Sequence, residues 1–170
     1  HSGGYLSDNQ RAMDVKFYDL NLKIDSKRKL ISGFVSISFL LKSQPDKFEF
    51  DLIDSFKVSS VDVNGMDLSF IHKENKIKIN NPYFDLNKTH KVQINYSGKP
   101  PVAKNPPWSG GFSWEKSKEG RPWIAVSCQL NGAHIWYPCK EHPSDKSDEG
   151  AKISISVPKP LVVASNGLLI

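Results

Sequence analysis

An all-β domain of about ten strands is the fold class this sequence predicts. Three observations lead there. Apolar residues recur at every second position through most of the chain. Short turns of Gly, Asn, Asp and Ser separate these runs. No amphipathic stretch reaches three helical turns. Many short strands joined by tight turns imply a sandwich or barrel-like sheet assembly.

The strands are read in order. In "FYDLNLKID" (17–25), Tyr18, Leu20, Leu22 and Ile24 share one face, and Asp19, Asn21 and Lys23 the other. After the polar turn "DSKRK", "GFVSISFLL" (33–41) places Val35, Ile37, Phe39 and Leu41 on one side, so the two runs read as an antiparallel hairpin. "KFEFDL" (47–52) alternates Phe48, Phe50 and Leu52 with Lys47, Glu49 and Asp51. "VDVNGMDLSF" (61–70) holds Asn64-Gly65 between alternating runs, the strongest short hairpin signal. "NKIKIN" (75–80), "KVQINY" (91–96) and "KISISV" (152–157) are further strands. The stretch 97–114 breaks the rhythm with four prolines and three glycines, which rules out a central strand and marks a long functional or mobile loop. "RPWIAVSCQL" (121–130) returns to strand-like composition.

At 170 residues the chain is one domain, long enough to bury a core without metals or disulfides. Its net charge of +5 comes from 23 basic against 18 acidic residues, and the lysines are scattered between apolar positions. Nucleic-acid binders concentrate basic residues on one face, so no nucleic-acid partner is expected. No run approaches the roughly 18 apolar residues of a spanning helix, so no membrane partner is expected either. Residues 1–13, opening "HSGG", are expected to be a disordered or cloning-derived leader, with the domain proper at 14–170. "PLVVASNGLLI" (160–170) suggests a hairpin turning at Asn166-Gly167 and interrupted on its return, hence a domain of a longer protein. The compartment stays open, with a lean toward a secreted or cell-envelope location.

Residues 127–145, "SCQLNGAHIWYPCKEHPSD", concentrate the chemistry-bearing side chains. Cys128, His134, Cys139 and His142 are all possible zinc ligands, but their order is Cys-x5-His-x4-Cys-x2-His. Structural zinc sites favour close Cys-x2-4-Cys pairs, and no metal site is assigned here. A thiol nucleophile needs a specific electropositive setting that adjacency in sequence does not supply, so no catalytic residue is assigned. Two cysteines are too few for a disulfide framework, and pairing between Cys128 and Cys139 stays open. Trp108, Trp114, Trp123 and Trp136 fall in the last third with Phe112 and Tyr137. A tryptophan face on a free-standing β-sandwich would bind glycans or proteins, and this is the alternative class of function.

Three segments, taken in order, resemble a known family. "FYDLNLKIDSKRKLISGFVSISF" (17–39) resembles the opening strands of the aminopeptidase N and leukotriene hydrolase family of zinc metallopeptidases. "SCQLNGAHIWYPCKEHPSDKS" (127–147) resembles its Gln-x-x-x-Ala-Arg-x-x-Phe-Pro-Cys-x-Asp-x-Pro segment, and "ISISVPKPLVVASNG" (153–167) its Ile-x-Val-Pro…Ser-Asn-Gly segment. "GGFSW" (110–114) resembles a variant of the loop before the family's substrate strand. The chain departs at His134-Ile135, where the family has an arginine, and at Glu141-His142-Pro143.

The resemblance implies a saddle-shaped, antiparallel, all-β N-terminal domain. It places the catalytic zinc in a following domain, on a His-Glu-x-x-His helix with a downstream glutamate. This sequence has no His-Glu-x-x-His and no Gly-x-Met-Glu-Asn. The implied role is therefore a non-catalytic wall of a peptidase cleft, without a cofactor of its own. Its implied partners are the catalytic domain of the same polypeptide and a peptide with a free N-terminus. Gln129 in "SCQLN" matches the family's glutamine or glutamate that contacts the substrate's amino end. An amide oxygen accepts from an ammonium group, more weakly than a carboxylate.

Overall fold

The computed structural model describes residues 3–170. A short helix α1 (Asp8–Arg11) precedes β1 (Met13–Asp25), β2 (Leu30–Leu41), β3 (Lys47–Asp51), β4 (Phe56–Val63), β5 (Met66–Asp67), β6 (Phe70–Lys73) and β7 (Lys76–Asn80). Then come β8 (Thr89–Gly98), β9 (Gly111–Lys116), β10 (Pro122–Ser127) and β11 (Ala151–Ser156). The expected all-β, sandwich-like class holds. A six-stranded sheet runs β11-β1-β2-β8-β4-β5, a three-stranded sheet β3-β7-β6, and β10-β9 form a separate hairpin.

Local chemistry explains the turns. Asp25 pairs with Leu30 across the first hairpin, and its Oδ1 accepts from the N–H groups of Lys27 and Arg28 at 3.0 and 2.9 Å. Asn64 and Gly65 close β4 onto β5 with φ of 53° and 83°, the left-handed pair of a type I′ turn. Glu74 and Asn75, both at φ 57°, make a second such turn between β6 and β7. Neither residue is glycine, so that hairpin gave only a weak signal.

The core lies between the two larger sheets. Val35, Ile37, Phe39 and Leu41 of β2 are fully buried, as their alternation predicts. Phe39 meets Phe48 and Phe50 of β3 at ring-centroid distances of 5.4 and 6.2 Å, which joins the sheets face to face.

Three expectations need correction. Of the leader expected over residues 1–13, residues 1 and 2 lie outside the described residues, and Ser7–Met13 form a capped helix and the start of β1. Ser7 Oγ accepts from Gln10 N at 3.2 Å while the Gln10 side chain accepts back from Ser7 N, a capping box, and Ala12 and Met13 are already buried. The sheet is not wholly antiparallel, because β11 pairs with β1 in parallel, from Tyr18↔Ala151 to Lys23↔Ser156. Residues 157–170 form no strand; Asn166-Gly167 is a bend, and Leu168, Leu169 and Ile170 are almost wholly exposed.

The polar face of β3 is buried too. Glu49 and Asp51 are 5% and 8% exposed. Asp51 Oδ1 lies 2.6 Å from Lys76 Nζ, and Oδ2 accepts from Gln10 Nε2 at 2.7 Å and Glu141 N at 2.9 Å. The backbones of Asp51 and Cys139 exchange both hydrogen bonds, at 2.7 and 3.0 Å. Removing the carboxylate strands the buried Gln10 Nε2 and takes the partner from the part-buried Glu141 N–H, while Lys76 keeps Glu49 at 3.2 Å. Asp51→Ala is therefore expected to lower the unfolding free energy in urea by roughly 3–5 kcal/mol. A loss below about 1 kcal/mol would rank this node with ordinary surface pairs.

Candidate functional site

The site begins at the β9–β10 hairpin, paired from Pro122↔Lys116 to Ser127↔Gly111. The inward positions Phe112 and Trp114 of β9 and Ile124 of β10 pack on the core, so β10 is held through Ile124 and its pairing with β9. Past Ser127 the chain turns sharply, with Gly132 N donating to Cys128 O at 2.7 Å. Gln129 sits in this turn and is exposed, with no hydrogen bond from its amide among the described residues. Gln129 thus lies two residues past the end of β10, in an exposed turn.

The next residues hold the turn in place. Ala133–Ile135 form a 3-10 turn. Glu141 folds back beneath it, and its carboxylate accepts from His134 N at 3.0 Å and from the Cys139 thiol at 3.4 Å. Gly132 has φ +88°, and a Cβ there would lie 2.3–2.6 Å from the Glu141 carboxyl atoms. A side chain at this position has neither the conformation nor the space. Beyond it, Ile53 N donates to His134 O at 3.0 Å, and Tyr96 Oη donates to Trp136 O at 2.9 Å. Lys140, 7% exposed, donates through Nζ to Met13 O at 2.6 Å and pairs with Asp145. The segment is thereby stitched to β1, to β8 and to the residues that close β3.

The four tryptophans do not form one face. Trp108 and Trp123 are 58% and 63% exposed, whereas Trp114 and Trp136 pack against the core. Trp136 meets Tyr137 edge-on at 4.7 Å and Phe112 at 6.3 Å. Half of the expected binding face therefore serves as packing.

The four candidate zinc ligands are not brought together. His142 is in an exposed turn, with Nδ1 2.6 Å from Ser144 Oγ. Cys139 is buried against Glu141 and Cys128 is half-buried, both as free thiols. Burial first, and then the Glu141 carboxylate, pushes both thiols above the ordinary range. An acidic neighbour opposes the thiolate that a nucleophile or a metal requires. Among the described residues no three His, Cys, Asp or Glu side chains converge as a metal site. Zinc does not fit this chain's own residues. The sequence reading missed Asp51, Glu141, Gly110 and Asn131, which hold the turn. The dipeptide Asn131-Gly132 was the available signal, since it marks a turn wherever it falls. Near pH 8, Cys128 is expected to alkylate more slowly than free cysteine, and Cys139 only after unfolding. Rapid labelling of both thiols in the native protein would overturn this account.

Comparison with known proteins adds the family. The model of the peptidase M1 N-terminal domain matches residues 15–170. The fold is similar to that of an M1 zinc metallopeptidase from Deinococcus radiodurans, with a TM-score of 0.76 at 23% identity over 94% of this chain and 36% of that one. It is also similar to leukotriene A4 hydrolase from Saccharomyces cerevisiae, with a TM-score of 0.73 at 24% identity over 95% of this chain and 26% of that one. The chain thus spans 36% or less of these two structures. No curated protein sequence matches significantly. A family match over nearly the whole chain, on the two-sheet architecture described above, places this protein in the peptidase M1 N-terminal domain family.

Proposed function

We propose that this chain forms the non-catalytic wall of the substrate cleft in a zinc-dependent aminopeptidase. On this reading Gln129 receives the free amino end of a peptide. The observation that carries the proposal is the placement of Gln129. Its amide is exposed at the end of β10, on a turn whose neighbours are pinned to the core by Glu141, Tyr96 and Ile53. An exposed acceptor on a rigid base can meet an ammonium group with little ordering cost.

Catalytic zinc would belong to a separate catalytic domain of the same polypeptide, which is also the partner this wall faces. When bound there, zinc would polarise the scissile carbonyl and activate water. This chain's share is binding. The Gln129 carbonyl oxygen accepts from the α-ammonium and so favours an unblocked N-terminus over a blocked one. Two exposed tryptophans, Trp108 and Trp123, are too few to favour a free-standing glycan module.

The test is Gln129→Ala in the intact enzyme. A hydrogen bond to a charged group contributes about 1.5–3 kcal/mol, so kcat/KM for free-amine peptides is expected to fall about 10- to 100-fold, with KM raised. An unchanged kcat/KM would refute the assignment.

A further inference from the structure

The turn bearing Gln129 is tied to a second element by one side chain. Asn131 Oδ1 accepts from Gly110 N at 2.7 Å. Because a backbone N–H only donates, this contact fixes which end of the amide faces Gly110. There is no room for a side chain at Gly110. A Cβ there would lie 2.5 Å from Ser127 O, 2.9 Å from Asn131 Oδ1 and 3.0 Å from Cys128 Cα. Gly110 thus lies one residue beyond the Gly111↔Ser127 pair, close against the backbone of Ser127 and Cys128, and Asn131 bonds it there.

The proline- and glycine-rich segment is itself closed. Phe112 N donates to Pro101 O at 2.7 Å, Ala103 N to Phe112 O at 3.1 Å, and Ser109 N to Asn105 O at 2.8 Å. Gly111 has φ +140°, and a Cβ there would strike Pro101 O at 2.5 Å. Residues 101–112 thus form a braced loop, with Trp108 exposed near its tip. Beyond the β9–β10 pairing of Phe112 with Val126 and Gly111 with Ser127, loop and turn are joined by one further hydrogen bond, through a side chain that is neither in the core nor in a strand.

We infer that Asn131 is a positioning residue, locking the 101–112 loop to the Gln129 turn so that this part of the cleft wall is set before substrate arrives. The inference rests on the reading of Gln129 proposed above. Without Asn131 the turn keeps its Gly132–Cys128 bond and its Glu141 support, so the fold persists. Gln129 then gains freedom relative to the loop, and the cost of ordering it is met on binding. Ordering a side chain costs enough to raise KM about three- to tenfold. Because the cost falls equally on the bound substrate and the transition state, kcat changes by less than about twofold.

The test compares the intact enzyme with its Gln129→Ala, Asn131→Ala, Asn131→Asp and double-alanine variants on one unblocked peptide, alongside amide hydrogen exchange at Gly110. Asn131→Ala is expected to raise KM with kcat preserved and to accelerate exchange at Gly110. Asn131→Asp keeps an acceptor oxygen and should restore both. In the Gln129→Ala background, Asn131→Ala should add nothing, since it acts through Gln129. If the alanine variant folds poorly, Asn131→Leu keeps the volume without the acceptor and repeats the comparison. An equal KM penalty in both backgrounds, failure of aspartate to rescue, or unchanged exchange at Gly110 would overturn the inference and leave the Gln129 role standing. A native KM for Gln129→Ala would instead overturn that role, and this inference with it.

Discussion

Asp51 is the point on which the rest of the domain depends. It ends β3 with its carboxylate buried, where an unpaired charge would be very costly. Gln10, Lys76 and the Glu141 N–H supply the compensation, from three distant parts of the chain. Its backbone pairs with Cys139 in the same place. One residue thus joins the N-terminal helix, the second sheet and the segment that comes after Gln129. Dispersion and burial around Phe39, Phe48 and Phe50 hold the sheets together without regard to direction. The Asp51 bonds are directional, so they determine which loop lies where.

From there the order passes outward to the turn. The Asp51 bond to Glu141 N fixes the Glu141 backbone, and the Glu141 carboxylate then supports His134 N and lies against Gly132. Gly132 closes the turn onto Cys128, leaving Gln129 at its crest. Each step is a single short contact. The turn that carries the exposed glutamine is thus connected to the buried core by hydrogen bonds and by the close approach of Glu141 to Gly132. Lys140 with Asp145 and Met13 braces the same segment from the other side.

The residues with the most reactive side chains are used for packing. Cys139 is enclosed beside an acid, and Cys128 is half-buried. Burial together with the acid raises both thiols, which suits inert structural groups. The residues that organise the site are two acids, an asparagine and two glycines, types that occur in any soluble domain. Their roles depend on partners far away in sequence. Asp51 and Glu141 lie 90 positions apart, and Gly110 and Asn131 are 21 apart.

The strands were legible because a half-buried sheet imposes a two-residue period on its own sequence. Val35, Ile37, Phe39 and Leu41 show that period and face the core. The Asn64-Gly65 turn was equally legible, since its left-handed backbone restricts the residues that fit. Family membership followed from three ordered segments, and Gln129 could be singled out within one of them. The rest required the tertiary structure. Alternation in β3 marked Glu49 and Asp51 as polar, and only the covering helix and the returning segment made that face buried. The parallel pairing of β11 with β1 leaves no local trace, because strand direction is decided by the path of the chain between them. A periodicity is written into neighbouring residues, whereas a hydrogen bond between distant ones exists only once the chain has folded.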